Sequence, residues 1–266
     1  MNTTVIIVTH ESALVLDDTL TALDRIPGLT TLIVDNASTD TSAAIAESHG
    51  ARVLRLPKNI GFAAAANKGA QAAQGEILCF LNPDCLLDEA TVAAAIATLS
   101  KLPRSCAVPD FEQEEGRVAG CQPGYTRRKL LADILETNGW NPGWIAQLKA
   151  HPDYHDTTWN WPLGTCIFVR SSFFNEVGGL DASYFLYMED VDFGQRIHAA
   201  GGTTLPIGTT LRHLSMHGAG VSRSRRMELL NAGHLLYARK TYGLCFTTFL
   251  RGVLAVTQWK AGRAVR

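Results

Sequence analysis

"TLIVDNASTD" (residues 31–40) changes character at its midpoint. The first half is a continuous apolar run that ends on Asp35. The second half is rich in Ser, Thr and Asp, the side chains that cap helix starts, and an Ala-rich stretch follows. A strand that is apolar without alternation is covered on both faces. A strand that runs straight into a capped helix opens a βα unit. The same pattern recurs along the chain. "TVIIV" (4–8) precedes a helix with Leu16, Leu20 and Leu23 at i, i+4 and i+7. "RVLRL" (52–56) precedes an Ala-rich helix over 62–74 that Gly75 ends, and "EILCFLN" (76–82) precedes a helix around 88–100. "CAVPD" (106–110) reads as a fifth strand. The fold class is therefore α/β, with a mostly parallel central sheet flanked by helices.

After residue 111 the alternation breaks up. Residues 112–160, rich in Gly, Pro, Trp and His, read as a variable functional connection. Regularity returns with "GTCIFV" (164–169), "SSFFNEV" (171–177) and a helix that begins at Glu189. The tail 223–260 reads as two helices. The chain divides into a domain over 1–222, with halves 1–110 and 111–222, and a basic amphipathic helical tail over 223–266.

With 46% hydrophobic and 18% charged residues, the 266-residue chain has the composition of an ordinary globular protein. A net charge of −1 argues against nucleic acid as a partner. The charge is unevenly spread: the tail holds nine Lys and Arg against the single acid Glu228, which leaves the body acidic. An acidic body suits a cation or a polar ligand. A basic helical tail suits the anionic inner face of a cell membrane, or packs on the main domain or on a second copy in a homodimer. The six cysteines form no CxxC pair and no Cys/His metal spacing, as expected of reduced thiols in a cytoplasmic protein. The start lacks a basic n-region, and "LCFTTFLRGVLAV" (244–256) is too short to span a bilayer and carries Arg251.

In open α/β sheets ligands sit beyond the carboxyl ends of the strands. The polar residues there are Thr9-His10-Glu11, Asp35-Asn36 and Asn82-Pro83-Asp84. Neither GxGxxG nor GxxxxGK[ST] follows a strand, so any phosphates must be neutralised without a glycine cradle. A divalent cation held by carboxylates is the physical candidate. "FLYMEDVDFGQRIHAAGG" (185–202) adds Glu189, Asp190 and Asp192 within an otherwise apolar run. Three acids suit a first helical turn, and they also suit a catalytic base with supporting charges.

"LIVDNASTD" (32–40), "NIGFAAAANKG" (59–69), "FLNPD" (80–84), "GTCIFVRSSFFNEVGGLD" (164–181), "YFLYMEDVDFGQRI" (184–197) and "HGAGVS" (217–222) stand in the order and spacing of one family. Together they resemble glycosyltransferase family 2, in the bacterial branch that includes rhamnosyltransferases of cell-surface polysaccharide assembly. The resemblance implies a GT-A fold, a Rossmann-like nucleotide-binding half with an acceptor-binding half, a nucleotide-sugar donor, Mg²⁺ or Mn²⁺, and inversion at the anomeric carbon. Asp35 would accept the ring N–H of uracil or thymine, a reading the resemblance favours over an Asx turn in "DNAST". Thr9 and Glu11 would line the same pocket, while His10 departs from the family pattern and also reads as a solvated loop residue. Asn59, Gly61 and Phe62 would pass beside the nucleoside, with Asn67 facing the sugar, and Phe62 also reads as core.

The resemblance further implies that Asn82 replaces the first carboxylate of Asp-x-Asp, with Asp84 left to bind the metal. His217 would complete the metal shell, with His213 as the competing histidine. Asp190 takes the position of the base, and Glu189 is the alternative base or an acid that orients the acceptor. Neighbouring helix positions diverge by about 100°, so these acids cannot all serve one atom. Asp192 would support the others, paired with Arg196 at i+4. Trp161 either stacks on a sugar or is simply buried, and Gly164 precedes the acceptor-side strand.

By resemblance the donor is dTDP-L-rhamnose, ahead of UDP-galactofuranose, UDP-N-acetylglucosamine and UDP-glucose. The acceptor would be a hydroxyl of a cell-surface polysaccharide or a lipid-linked glycan. A non-catalytic sugar-nucleotide-binding protein is the alternative, and Asp84, Asp190 and His217 would then have no chemical reason to persist. A nucleotidyltransferase would need a Gly- and basic-rich loop, which "VTHESALVLDDTL" lacks.

Overall fold

The computed structural model describes residues 1–114, 116–141, 143–155, 157–214 and 222–264. The chain opens with β1 (Thr3–Thr9), α1 (Ala13–Leu23), β2 (Leu29–Asp35), α2 (Ser42–Ser48), β3 (Arg52–Arg55), α3 (Phe62–Ala72) and β4 (Ile77–Leu81). It continues through β5 (Cys85–Leu86), α4 (Glu89–Lys101), β6 (Ser105–Gln113), β7 (Gly116–Val118) and β8 (Cys121–Pro123). Then come α5 (Arg127–Thr137), α6 (Trp144–Ala150), α7 (Pro152–His155), β9 (Asn160–Pro162) and β10 (Cys166–Arg170). The last elements are α8 (Ser171–Glu176), α9 (Glu189–Ala199), β11 (Thr203–His213) and α10 (Arg223–Ala264).

Val5, Ile6 and Ile7 of β1 are all buried, although successive strand residues face opposite ways. Helices cover both faces, as the unalternating apolar runs imply. Val5, Ile7 and Ile33 share one core with Leu16 and Leu20 of α1 and Leu99 of α4. Ile6 and Val34 share the other with Ala63 and Ala66 of α3, Phe174 of α8, and Phe193 and Ile197 of α9.

The strands run in the order β3-β2-β1-β4-β10-β6-β11-β5, with β7 pairing β6. The first four are parallel, as the repeated βα units require. Beyond them the sheet is mixed. β10 runs antiparallel to both β4 and β6, and β11 is parallel to β6. This reversal positions the site. Because Cys166 pairs with Leu81, the segment entering β10 arrives at the same sheet edge where the chain leaves β4. There the Asn82 N–H donates to the Thr165 carbonyl at 2.9 Å.

A third cluster holds the tail. Tyr237, Ala238, Leu250 and Leu254 of α10 pack on Leu130 and Ile134 of α5 and on Tyr184, Met188 and Val191. α10 bends at Gly243 (φ 83°), which makes it the two helices read from the sequence. Polar bonds fix its first half. Asn138 and Asn231 exchange amide bonds at 2.9 Å each way, and the buried His234 meets Asp133 at 3.0 Å. Over these residues the tail packs on the main domain. No helix among the described residues is long and apolar enough to cross a membrane.

Candidate active site

The ends of β1 and β2 hold a cavity of about 280 Å³ whose lining includes His10, Asn36, Asn59, Phe62, Asn82 and Asp84, together with Tyr187 and Arg226. Asp35 closes β2 and is buried, and its Oδ1 accepts the Ser38 N–H at 3.1 Å. That bond reaches three residues on, one further than an Asx turn, and it leaves the second carboxylate oxygen able to accept another donor. Asp35 itself is not among the residues that line the cavity, whereas its neighbour Asn36 is.

Asn36 organises this corner, and the sequence reading assigned it no role. Its Nδ2 donates to Asn59 Oδ1 (2.9 Å) and to the Gly61 carbonyl (3.3 Å), while its Oδ1 accepts the Ile60 N–H (2.9 Å). Asn59 Oδ1 also accepts the Gly61 N–H at 3.0 Å, so Asn59 builds the loop as well as lining the cavity. Gly61 cannot be larger. Its φ is +86°, and a Cβ there would lie 2.5 Å from the Phe185 carbonyl oxygen, which accepts the Phe62 N–H at 2.7 Å. Phe62 meets both of its readings: it lines the cavity and packs against the core beneath.

Glu11 and Thr9 do not line the cavity. Glu11 Oε1 accepts the backbone N–H and the hydroxyl of Thr39 (2.6 and 3.0 Å), so it holds the "NASTD" loop in place. Thr9 is fully buried, with its hydroxyl unpartnered. His10 does line the cavity, and its Nδ1 is buried without a partner. Asn67, expected to face the sugar, instead bonds both the N–H and the carbonyl of Leu180 (2.9 and 2.6 Å). It ties α3 to the loop ahead of the acids, with Gly179 against its Oδ1.

Among the described residues, the non-glycine positions with positive φ are Glu11 (55°), Ala37 (62°), Tyr187 (72°) and Met188 (71°). Two follow β1 and β2, and two precede α9. Each such position costs on the order of 1–3 kcal/mol, and such strain concentrates at functional sites. Of the four, Tyr187 lines the cavity.

Asp84 Oδ1 lies 3.1 Å from His213 Nε2, and the His213 ring is held through Nδ1 by the Gln113 amide at 2.7 Å. His213 reaches Asp84 because β11 pairs antiparallel with β5, with His213 opposite Cys85. His217 lies outside the described residues. As arranged, the Gln113 amide nitrogen donates to Nδ1, so Nε2–H donates to Asp84. With the Gln113 amide turned so that its oxygen accepts from Nδ1–H, Nε2 would be free for a cation, and the 3.1 Å spacing then fits the ~3 Å between neighbouring ligands of octahedral Mg²⁺ or Mn²⁺. No group of three potential ligands exists among the described residues. Further coordination would come from the donor's phosphates and water.

The three acids of α9 point to different work. Asp190 Oδ2 accepts the Gly164 N–H (3.0 Å) and Oδ1 accepts the Val191 N–H (2.8 Å). Gly164 makes this possible, since a Cβ there would press on Oδ2 at 3.2 Å. Glu189 is buried, and its Oε2 lacks a partner. Asp192 pairs with Arg196 (2.7 Å), whose Nη1 donates to the Val177 and Gly179 carbonyls, so it braces the loop. Trp161 donates its Nε1–H to the Pro123 carbonyl (3.1 Å) and packs flush on Gly194.

Burial holds both Glu189 and Asp190 above the ordinary carboxylate range, and the charge of Asp190 raises Glu189 further. When folded values lie above unfolded ones, the folded state binds more protons in the window between them, so stability falls as pH rises through it. We expect the melting temperature to fall from pH 5 to pH 8. Glu189→Gln should flatten that dependence and raise the melting temperature at pH 8. An unchanged slope would remove Glu189 as its source.

The model of Glycosyl transferase family 2 matches residues 4–173. The chain is 30% identical over 209 residues to N-acetylglucosaminyl-diphospho-decaprenol L-rhamnosyltransferase of Mycobacterium tuberculosis, covering 71% of this chain and 67% of that protein. It is 44% identical over 133 residues to the rhamnosyltransferase WbbL of Escherichia coli, about half of each protein. A crystal structure of GalNAc-T7 with UDP, GalNAc and Mn²⁺ superposes with a TM-score of 0.64 at 18% identity, covering 90% of this chain and 48% of that one. The likeness fixes the fold as GT-A. With that fold, the family match and relatives named as rhamnosyltransferases, the chain belongs to glycosyltransferase family 2.

Proposed function

We propose that this protein is an inverting, metal-dependent rhamnosyltransferase that moves L-rhamnose from dTDP-L-rhamnose to a hydroxyl of a lipid-linked glycan. The observation that carries the proposal is the placement of two kinds of site on one sheet edge. The Asp84–His213 pair follows β4, and Asp190 is anchored to Gly164 ahead of β10, with the Asn82–Thr165 bond joining the two segments. In the reaction the acceptor oxygen bonds to the anomeric carbon as the bond from that carbon to the diphosphate breaks. The nucleoside diphosphate leaves with the electron pair, and the acceptor proton passes to Asp190. One base suffices for this single displacement. Burial makes Asp190 a stronger base than an exposed carboxylate, and its two backbone bonds hold it in place. A divalent cation held by Asp84 and a histidine would offset charge on the departing diphosphate. Asp35 would accept the base N–H, and His10, Asn59 and Phe62 would line the nucleoside.

The choice of rhamnose and of a diphospho-lipid acceptor rests on the names of the relatives. The solved neighbour that holds UDP supports a UDP-sugar as the second reading. Peripheral membrane contact belongs to the same proposal: Leu244 and Phe249 of α10 are exposed and would meet the bilayer that holds the acceptor. The test is transfer to an N-acetylglucosaminyl-diphospho-lipid acceptor, with dTDP-L-rhamnose and the three UDP-sugars offered separately. Transfer from dTDP-L-rhamnose, with the anomeric configuration opposite to the donor's, is expected. Transfer from a UDP-sugar alone would replace the donor, and a retained configuration would remove the single displacement.

A further inference from the structure

α10 begins beyond the segment that the family model matches, yet two of its residues, Arg226 and Leu229, line the donor cavity. They are rigidly placed. Gly233 lies so close to the Tyr187 carbonyl that a Cβ would meet its oxygen at 2.8 Å, and Asn231 and His234 bond to α5 one turn further on. The neighbouring Arg225 is spent on Glu228 at the surface (2.9 Å). Arg226 has no carboxylate within ion-pair distance among the described residues. The cavity lining contains just two residues of fixed charge, Arg226 and Asp84, and Asp84 is engaged by His213. Tyr187, held at positive φ, lines the same cavity. A helix that merely covered the site would be better served by an apolar side chain at this position, because burying part of an unpaired guanidinium costs free energy.

We infer that Arg226 binds the diphosphate of the nucleotide-sugar donor, so that the tail completes the donor site. The inference rests on the donor reading given above. Charge balance supports it. A sugar-nucleotide diphosphate carries two negative charges, and a divalent cation on Asp84 leaves a net charge of plus one to meet them. Arg226 supplies the second positive charge. Its forked guanidinium suits phosphate oxygens better than a lysine would.

The test is calorimetric titration at fixed Mn²⁺ with dTDP and dTMP, and with UDP and UMP in parallel, on the full chain. Arg226→Ala should weaken binding of the preferred diphosphate about 10- to 30-fold, while the monophosphate changes much less. Arg226→Lys should recover part of the loss, and Arg225→Ala should match wild type. Unchanged diphosphate affinity in Arg226→Ala, with wild type binding normally, overturns the inference and leaves the donor reading standing. Equal loss for both nucleotides together with a lowered melting temperature also overturns it, since that marks a packing role. If wild type binds neither diphosphate, the donor reading falls first and takes the inference with it.

Discussion

Asp190→Asn is expected to keep dTDP affinity within about twofold of wild type while lowering the transfer rate by ~10³-fold, the middle of the range for a lost general base. The substitution is nearly isosteric and leaves Asp84, His213 and the cavity lining untouched. It removes the one carboxylate that is both anchored beside Gly164 and partly open to solvent. Asn retains only one acceptor oxygen for two backbone N–H donors, so a small fall in melting temperature should accompany the loss. Glu189→Gln separates the alternatives within "EDVD". Its carboxylate is buried, with Oε2 unpartnered, and should matter far less to rate, and Asp192 is spent on Arg196. A transfer rate for Asp190→Asn near that of wild type would remove Asp190 from the mechanism.

Asp84→Ala should abolish the difference between dTDP binding with Mn²⁺ and with EDTA, and should lower the transfer rate by roughly 10³-fold or more. A metal ion contributes several kcal/mol to such a transition state, and each 1.36 kcal/mol is about tenfold in rate. His213→Ala tells which histidine completes the shell. If His213 is the ligand, its loss should mimic that of Asp84. If His217 is the ligand, His213→Ala should keep most of the metal dependence while His217→Ala loses it. Asp84→Ala with intact Mn²⁺-dependent tightening would sink the cation assignment.

The parallel half of the sheet was legible because its signals are local. "TVIIV" and "TLIVD" lack alternation, and Leu16, Leu20 and Leu23 repeat at helical spacing, so both covered faces follow from neighbouring residues alone. The two-helix tail was legible for the same reason, with Gly243 as its break. β11 was not. "TTLPIGTTLRH" carries Pro206 and Gly208 at an irregularity in its pairing with β6, and these interrupt the strand signal. With β11 unread, no strand pattern placed His213 against Asp84, 129 positions away; the family resemblance offered His213 only as second to His217. The roles of Asn36 and Asn67 were hidden for a related reason. A polar side chain at a strand end or on a helix looks the same whether it faces a ligand or fastens a distant loop, and only the fold shows Asn36 fastened to 59–61 and Asn67 of α3 to Leu180. Arg226 was legible as part of a basic tail, and its aim into the cavity became visible only once α10 was docked.

The most direct test of the account is calorimetric titration of the wild-type protein with dTDP and with UDP, each in Mn²⁺ and in EDTA. The account predicts Mn²⁺-dependent binding that favours dTDP. No binding of either nucleotide under any condition would contradict it, and would leave the Asp84–His213 pair and the cavity above it without their proposed ligand.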